Sequence, residues 1–311
     1  MAFRRRSGST CSSFSSACSL FLRVPSVAFG DLPFRAFHAM TNTLRCLLLA
    51  PLLALGSVAV AADLPSFPYS MPAVGPAYPP PPWRYRDCRL LVLTLRSDPE
   101  VVKRLVPPPL VPNPDGVVMM WLCNMHAVEP FKLDYLEYGL GVPVEHDGKR
   151  GIYCTHLYLD DDTAIAGGRE IWGWPKKLAA MAFTVEGNRV TATATRKGVE
   201  IIRAEFEGGS DLPIEDLPQH FINFKIIPSV RADAPPDVCQ LNDCPFLRVT
   251  RSQKAGKATL ALRSSAVDAL GELPVHEILQ ARFSIADVEL PLGETIHDYL
   301  AEPGSDDAET R

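Results

Sequence analysis

The chain has 311 residues, 47% of them hydrophobic and 22% charged, with a formal net charge of −5. That apolar fraction excludes a mainly disordered chain, and 20 Gly and 29 Pro with no sustained heptad repeat exclude collagen-like and coiled-coil architectures. Arg4, Arg5, Arg6, Arg23, Arg35 and Arg45 face a single acid, Asp31, within residues 1–62; the remainder is therefore acidic, which argues against nucleic acid as a partner.

Residues 1–62 read as a leader. After Met40 one arginine, Arg45, precedes an apolar stretch from Leu47 to Val60, and Ala59-Val60-Ala61 fits a signal-peptide cleavage pattern. The stretch is too short for a membrane span, so no membrane association is expected once it is removed. Three readings account for residues 1–39: translation from Met40, an organelle transit peptide rich in Arg and Ser, or a buried N-terminal helix. The first places the protein outside the cytoplasm, periplasmic or secreted; a mitochondrion-like organelle and the cytoplasm are the alternatives.

Residues 63–83 form a proline-rich, extended lead-in, and one domain is expected over 84–303, with a disordered acidic tail at 304–311. Leu90–Leu95 reads as a strand. Ser97-Asp98-Pro99-Glu100 then fits a capping box with Ser97 as N-cap, starting a helix that ends at Pro107-Pro108-Pro109. Val117–Val128 and Gly151–Asp160 are further apolar runs. A three-strand meander follows: Met181–Glu186, Arg189–Arg196 and Val199–Glu207, joined by Gly187-Asn188 and Lys197-Gly198. Strands are expected at Phe221–Ile227, Phe246–Arg251 and Thr259–Arg263, with short helices near Ala266–Leu270, His276–Leu279 and Glu294–Leu300. Closely spaced strands, few helices and no βαβ rhythm predict a mostly β (α+β) fold, a curved antiparallel sheet or barrel.

Beyond the leader lie Cys88, Cys123, Cys154, Cys239 and Cys244. Cys239 and Cys244 could pair in an oxidising compartment, but an odd count argues against a disulfide framework. Neither C-x-x-C nor H-E-x-x-H occurs, so no metal site and no cofactor are expected.

The chemistry concentrates in Gly167-Gly168-Arg169-Glu170-Ile171-Trp172-Gly173-Trp174-Pro175-Lys176-Lys177-Leu178. A lysine doublet is usually a solvated turn, but two tryptophans and a proline imply a poorly hydrated site. There an ammonium loses hydration, its pKa falls from about 10.4, and the neutral amine becomes a nucleophile toward a ketone. The resulting protonated imine stabilises carbanionic character on the adjacent carbon, and a lysine activated in this way is the hallmark of acetoacetate decarboxylase.

The sequence resembles that family. Gly168-Arg169-Glu170 with Pro175-Lys176-Lys177-Leu178 is similar to its signature, flanked by Tyr135-Leu136-Glu137, Asp147-Gly148, Gly151, Leu157-Tyr158-Leu159-Asp160, Ala164-Ile165-Ala166, Lys225-Ile226-Ile227-Pro228, Cys239, Leu273-Pro274-Val275 and Asp298-Tyr299-Leu300. The likeness runs from Arg84 to Leu300. It implies a cone-shaped antiparallel β-barrel with peripheral helices, assembled as a homo-oligomer. It also implies that Lys176 forms the Schiff base and that Lys177 perturbs it electrostatically. Because neighbouring strand residues point to opposite faces, Lys177 is expected to act less directly than burial does.

The resemblance also implies that Glu137 is a pocket carboxylate that orients the substrate or its arginine partner, the alternative being a surface loop acid. Two positions depart from the pattern. Trp121 stands where a second pocket glutamate is expected, and no arginine stands at Cys88, where the substrate carboxylate would be held. Arg86, two residues earlier on the same face, and Arg89 are the candidates, Arg86 preferred because Tyr85-Arg86-Asp87 fits the local pattern better. Arg169 and Glu170 read as an ion pair bracing the loop. The leading functional expectation is a Schiff-base lyase that decarboxylates a β-keto acid such as acetoacetate. One alternative is aldol or dehydration chemistry on a larger oxo acid stacked by Trp121, Trp172 and Trp174; the other is a non-catalytic barrel that binds an apolar small molecule.

Overall fold

The computed structural model describes residues 69–216 and 219–301. The leader readings for residues 1–62 and the acidic tail 304–311 lie outside the described residues. Within them, strands dominate: β1 (Trp83–Arg96), β2 (Val111–Pro112), β3 (Val117–Glu129), β4 (Leu133–His146), β5 (Lys149–Leu159), β6 (Lys176–Leu178), β7 (Ala180–Glu186), β8 (Arg189–Arg196), β9 (Val199–Asp211), β10 (Gln219–Ile227), β11 (Val238–Leu262), β12 (Glu277–Leu290) and β13 (Glu294–Asp298). Two short helices, α1 (Pro99–Leu105) and α2 (Asp162–Gly167), sit between them.

All thirteen strands belong to one 13-stranded sheet. Its order β10-β5-β4-β3-β1-β12-β11 returns to β10, because β11 pairs with β10 as well as with β12, and this closes the sheet into a ring. The 25-residue β11 makes closure possible. Its first part pairs with β10, its middle with β12, and its last part with β9, from which β8 and β7 extend as a flap. Closure satisfies edges that an open sheet would leave unpaired. The antiparallel expectation holds for most pairs; β10–β5 and β5–β6 are parallel.

Both faces of the ring strands are buried, so β1 and β3 read as continuous apolar runs rather than as alternating ones. On β1, Leu91, Leu93 and Leu95 join the cluster that includes Val190, Ala204 and Phe206 of the flap. Leu90 and Cys88 face the other way, into a cluster with Trp121, Leu157, Trp174 and Phe221. This second cluster surrounds the lysine.

Several boundaries differ from the sequence expectation for identifiable reasons. Asp98, not Ser97, caps α1, its side chain accepting from the amides of Glu100 and Val101; Ser97 is buried instead. His276–Leu279 and Glu294–Leu300 enter β12 and β13 rather than helices, because β1 and β11 offer them partners. Only a short 3-10 turn, Leu270–Glu272, forms near the first expected helix. Phe246–Arg251 and Thr259–Arg263 fuse within β11 up to Leu262. The described part of the lead-in is docked rather than free: Tyr78 is buried, and its hydroxyl donates to Glu170 at 2.5 Å.

Candidate active site

The segment before β6 explains how a lysine comes to be buried. α2 is capped by Asp161, whose side chain accepts from the Ala164 amide at 2.8 Å. It runs into a π-helical turn, Gly168–Trp172, that Gly173 ends with φ +79°, a left-handed conformation natural to glycine. The Trp174 amide then donates to the Gly168 carbonyl at 3.0 Å, and the Lys176 amide to the Trp174 carbonyl at 2.8 Å. The lysine stem lies directly on Gly168, where an added Cβ would sit 2.5 Å from both Cδ and Cε. Arg169 donates to the Lys176 carbonyl at 3.3 Å, while Glu170 accepts from Tyr78. These two therefore brace the loop through separate partners, not through the mutual ion pair expected.

Lys176 is 4% exposed, and its Nζ lies 2.9 Å from Oε2 of Glu137. Glu137 comes from β4, a strand that sequence reasoning missed. The Tyr135 ring, two residues earlier on the same face, stands 5.6 Å from Nζ, and its hydroxyl is 3.0 Å from that of the buried Tyr85. Burial raises the Tyr135 and Tyr85 hydroxyls well above the ordinary phenol range, so both remain neutral donors.

Lys176 and Glu137 open on a cavity of about 40 Å³, room for roughly one water. Trp121, Trp174, Phe221, Phe246, Met119 and Met125 form most of its wall. Trp121 lies against its β4 partner Gly139, where an added Cβ would fall 2.1 Å from the indole Cε2. Trp174 and Trp121 each pack on Phe221. Trp172 stays out of the cavity: its Nε1 donates to the Pro291 carbonyl at 2.7 Å, and its ring meets Trp83 edge-on.

Lys177 faces the other way. Its Nζ is 2.6 Å from Oδ1 of Asp268, whose Oδ2 is 2.5 Å from Nε of Arg196, and the Tyr158 hydroxyl donates to the same carboxylate at 3.2 Å. Burial raises the Asp268 pKa, but hydrogen bonds from Lys177 and Arg196 outweigh it and hold the carboxyl below its ordinary 3.8. Lys177 also acts on half-buried His156, whose pKa is lowered to about 4, first by desolvation and then by the lysine charge.

Arg86 is not in the cavity. A bulge between Tyr85 and Cys88, with Asp87 at φ +51°, breaks the alternation that would have put Arg86 and Cys88 on one face. Tyr85 and Cys88 are buried, Arg86 is exposed, and its guanidinium pairs with Asp287 at 2.7 Å. Arg89 is exposed as well. The arginine that does line the cavity is Arg248 of β11, which sequence reasoning missed. The available signal was its spacing from Phe246, two residues along an expected strand and hence on one face. All five cysteines in the described residues are free, Cys239 and Cys244 included.

Residues 66–300 match the sequence pattern of the family described as acetoacetate decarboxylase (ADC). The chain belongs to that family. It is 36% identical over 248 residues to the acetoacetate decarboxylase of Burkholderia ambifaria (strain MC40-6), covering 78% of this chain and 99% of the relative. It is 38% identical over 240 residues to acetoacetate decarboxylase 1 of Mesorhizobium japonicum, covering 75% and 95%. Among solved structures, the acetoacetate decarboxylase of Legionella pneumophila superposes with a TM-score of 0.68 at 29% identity, covering 75% of this chain and 95% of that one.

Proposed function

We propose that the protein is a carboxy-lyase that converts a β-keto acid to a ketone and CO2 through an imine on Lys176. The observation that carries this is a lysine 4% exposed at the floor of an aromatic cavity, with one carboxylate, Glu137, 2.9 Å from its amine. Membership in a family whose named relatives are acetoacetate decarboxylases supports the same reaction.

Imine formation requires the free amine, and Glu137 is placed to take the proton from Nζ. The amine adds to the ketone and water leaves, giving a protonated imine. The bond to the carboxylate then breaks, CO2 departs, and the electron pair passes into the enamine. The proton first taken from Nζ leaves with the water of imine formation, so the new carbanionic carbon takes a proton from solvent, relayed by Glu137, and water then hydrolyses the imine to release the ketone. An apolar wall of Trp121, Trp174 and Phe221 replaces the hydration of a localised carboxylate with surroundings that favour neutral CO2.

Borohydride reduction in the presence of acetoacetate tests this reading. The expected result is CO2 release together with a mass adduct on Lys176. An adduct without CO2 release would point to the aldol or dehydration alternative, and no adduct with any oxo acid to a binding protein. Export and assembly belong to the same proposal. Ala59-Val60-Ala61 supports cleavage and export, checked by sequencing the mature N-terminus. Exposed Val230, Val249 and Leu247 support a homo-oligomer, checked by light scattering.

A further inference from the structure

The cavity around Lys176 adjoins a second chamber that imine chemistry does not use. Val92, Met119, Gln219 and Arg248 line both. The outer chamber measures about 270 Å³, far larger than the inner one, and adds Arg282 and Ser284 of β12 to its wall.

Strand register puts the two chambers on one face. Arg282 lies opposite Val92 on β1, Val92 opposite Trp121 on β3, Trp121 opposite Gly139 on β4, Gly139 opposite Leu157 on β5, and Leu157 opposite Lys176 on β6. Directly opposed residues point to the same side of a sheet. Arg282 and Lys176 are thus the ends of one row, with the apolar groups of Val92 and Trp121 between them.

Among the described residues no carboxylate lies within 4 Å of Arg282, and Arg248 has one such partner, Oδ1 of Asp216 at 3.3 Å. Glu215 also lines the chamber but pairs with neither guanidinium. Burial, and after it the charge of Arg248, lowers the Arg282 pKa, the direction for a cation short of a counter-charge. Two guanidinium forks beside one half-enclosed space suit a carboxylate, which each can bind through paired N–H bonds.

We infer that the substrate carries a second carboxylate, remote from its ketone, that Arg248 and Arg282 hold in the outer chamber. The class is a 3-oxo dicarboxylic acid. This rests on the decarboxylation reading for the identity of the leaving group: the carboxylate β to the ketone departs as CO2 at Lys176, one proton is taken up at that carbon, and the distal carboxylate stays on the product as an oxo monoacid.

The test compares 3-oxo diacids of six to eight carbons with 3-oxo monoacids of the same length. At one or more lengths the diacid should have a kcat/KM about tenfold or more above the monoacid, the scale of one charge-assisted carboxylate contact. Arg282→Met should reduce kcat/KM for the diacid at least tenfold more than for the monoacid, and Arg282→Lys should restore part of the preference. Equal rates at every length, or a preference untouched by Arg282→Met, would overturn the inference. Borohydride trapping on Lys176 separates this from a failure of the decarboxylase reading. Diacids trapped more efficiently than monoacids without CO2 release would retain the anion chamber and reject the decarboxylation.

Discussion

Lys176 and Lys177 are neighbours in sequence and occupy two unlike electrostatic settings. Lys176 meets one carboxylate, Glu137, inside an aromatic cavity; Lys177 shares Asp268 with Arg196, and its own side chain is 39% exposed. The carboxylate on each side is what the lysine cannot leave: Glu137 is 14% exposed and Asp268 fully buried. One pair faces a small aromatic cavity and is suited to exchanging a proton. The other is saturated by two cations and a tyrosine and is suited to holding β5, β6 and β8 together. A strand only three residues long separates chemistry from scaffold.

The sharpest break between them is replacement of each lysine by methionine. Lys176→Met should lower CO2 release on the order of 10⁴-fold or more, as removal of a covalent nucleophile does, and abolish the borohydride adduct. Lys177→Met should keep the adduct on Lys176; an adduct lost from the Lys177 variant alone would invert the comparison. Glu137→Gln comes next. Loss of the carboxylate beside Nζ should cost about 10²- to 10³-fold in kcat, the range for a general acid–base group, measured as CO2 evolution under saturating substrate.

On the other face the expected losses are in stability. Asp268→Asn leaves Lys177 and Arg196 facing a neutral amide and should cost about 3 kcal/mol, the lower end for breaking a buried pair because Lys177 is partly solvated. Urea denaturation at neutral pH measures it. The Asp268 pKa is depressed on folding, so the wild-type advantage is complete above the unfolded carboxyl pKa and disappears as pH falls through the lower folded value. The two proteins should therefore converge in acid. The smallest effect is on His156. In the native protein it titrates at about 4 against an ordinary 6.5, so its contribution weakens stability as pH drops between those values. Lys177→Met should raise the His156 pKa by less than about one unit, because burial is the first cause and the lysine the second; NMR titration reads it directly.

Much of the scaffold was legible because its signals are local. The meander β7–β8–β9 was expected nearly residue for residue, since Val190-Thr191-Ala192-Thr193-Ala194-Thr195 alternates and tight turns bound it. β4 was not, because Gly139, Gly141 and Pro143 weaken a strand by propensity. The structure shows why they are tolerated: the Trp121 ring occupies the volume a side chain would fill at Gly139, and the Ile152 side chain and Tyr153 carbonyl occupy it at Gly141. That same strand supplies Glu137, so one missed element hid the setting of that residue. Arg86 failed for a different reason, a bulge that reverses strand parity over two residues and leaves no mark on composition.

The amino-acid order alone determined a strand-rich chain, a lysine doublet in a Trp- and Gly-rich turn, and the placement of those lysines on opposite faces, since the two-residue period of a strand is a property of the backbone itself. Which acid each lysine meets was decided only by tertiary structure. Glu137 reaches Lys176 through the registers of β4, β5 and β6, and Arg248 enters the cavity because β11 bends across three partners to close the ring. Periodicity fixes which way a side chain points; strand pairing between distant segments fixes what it points at.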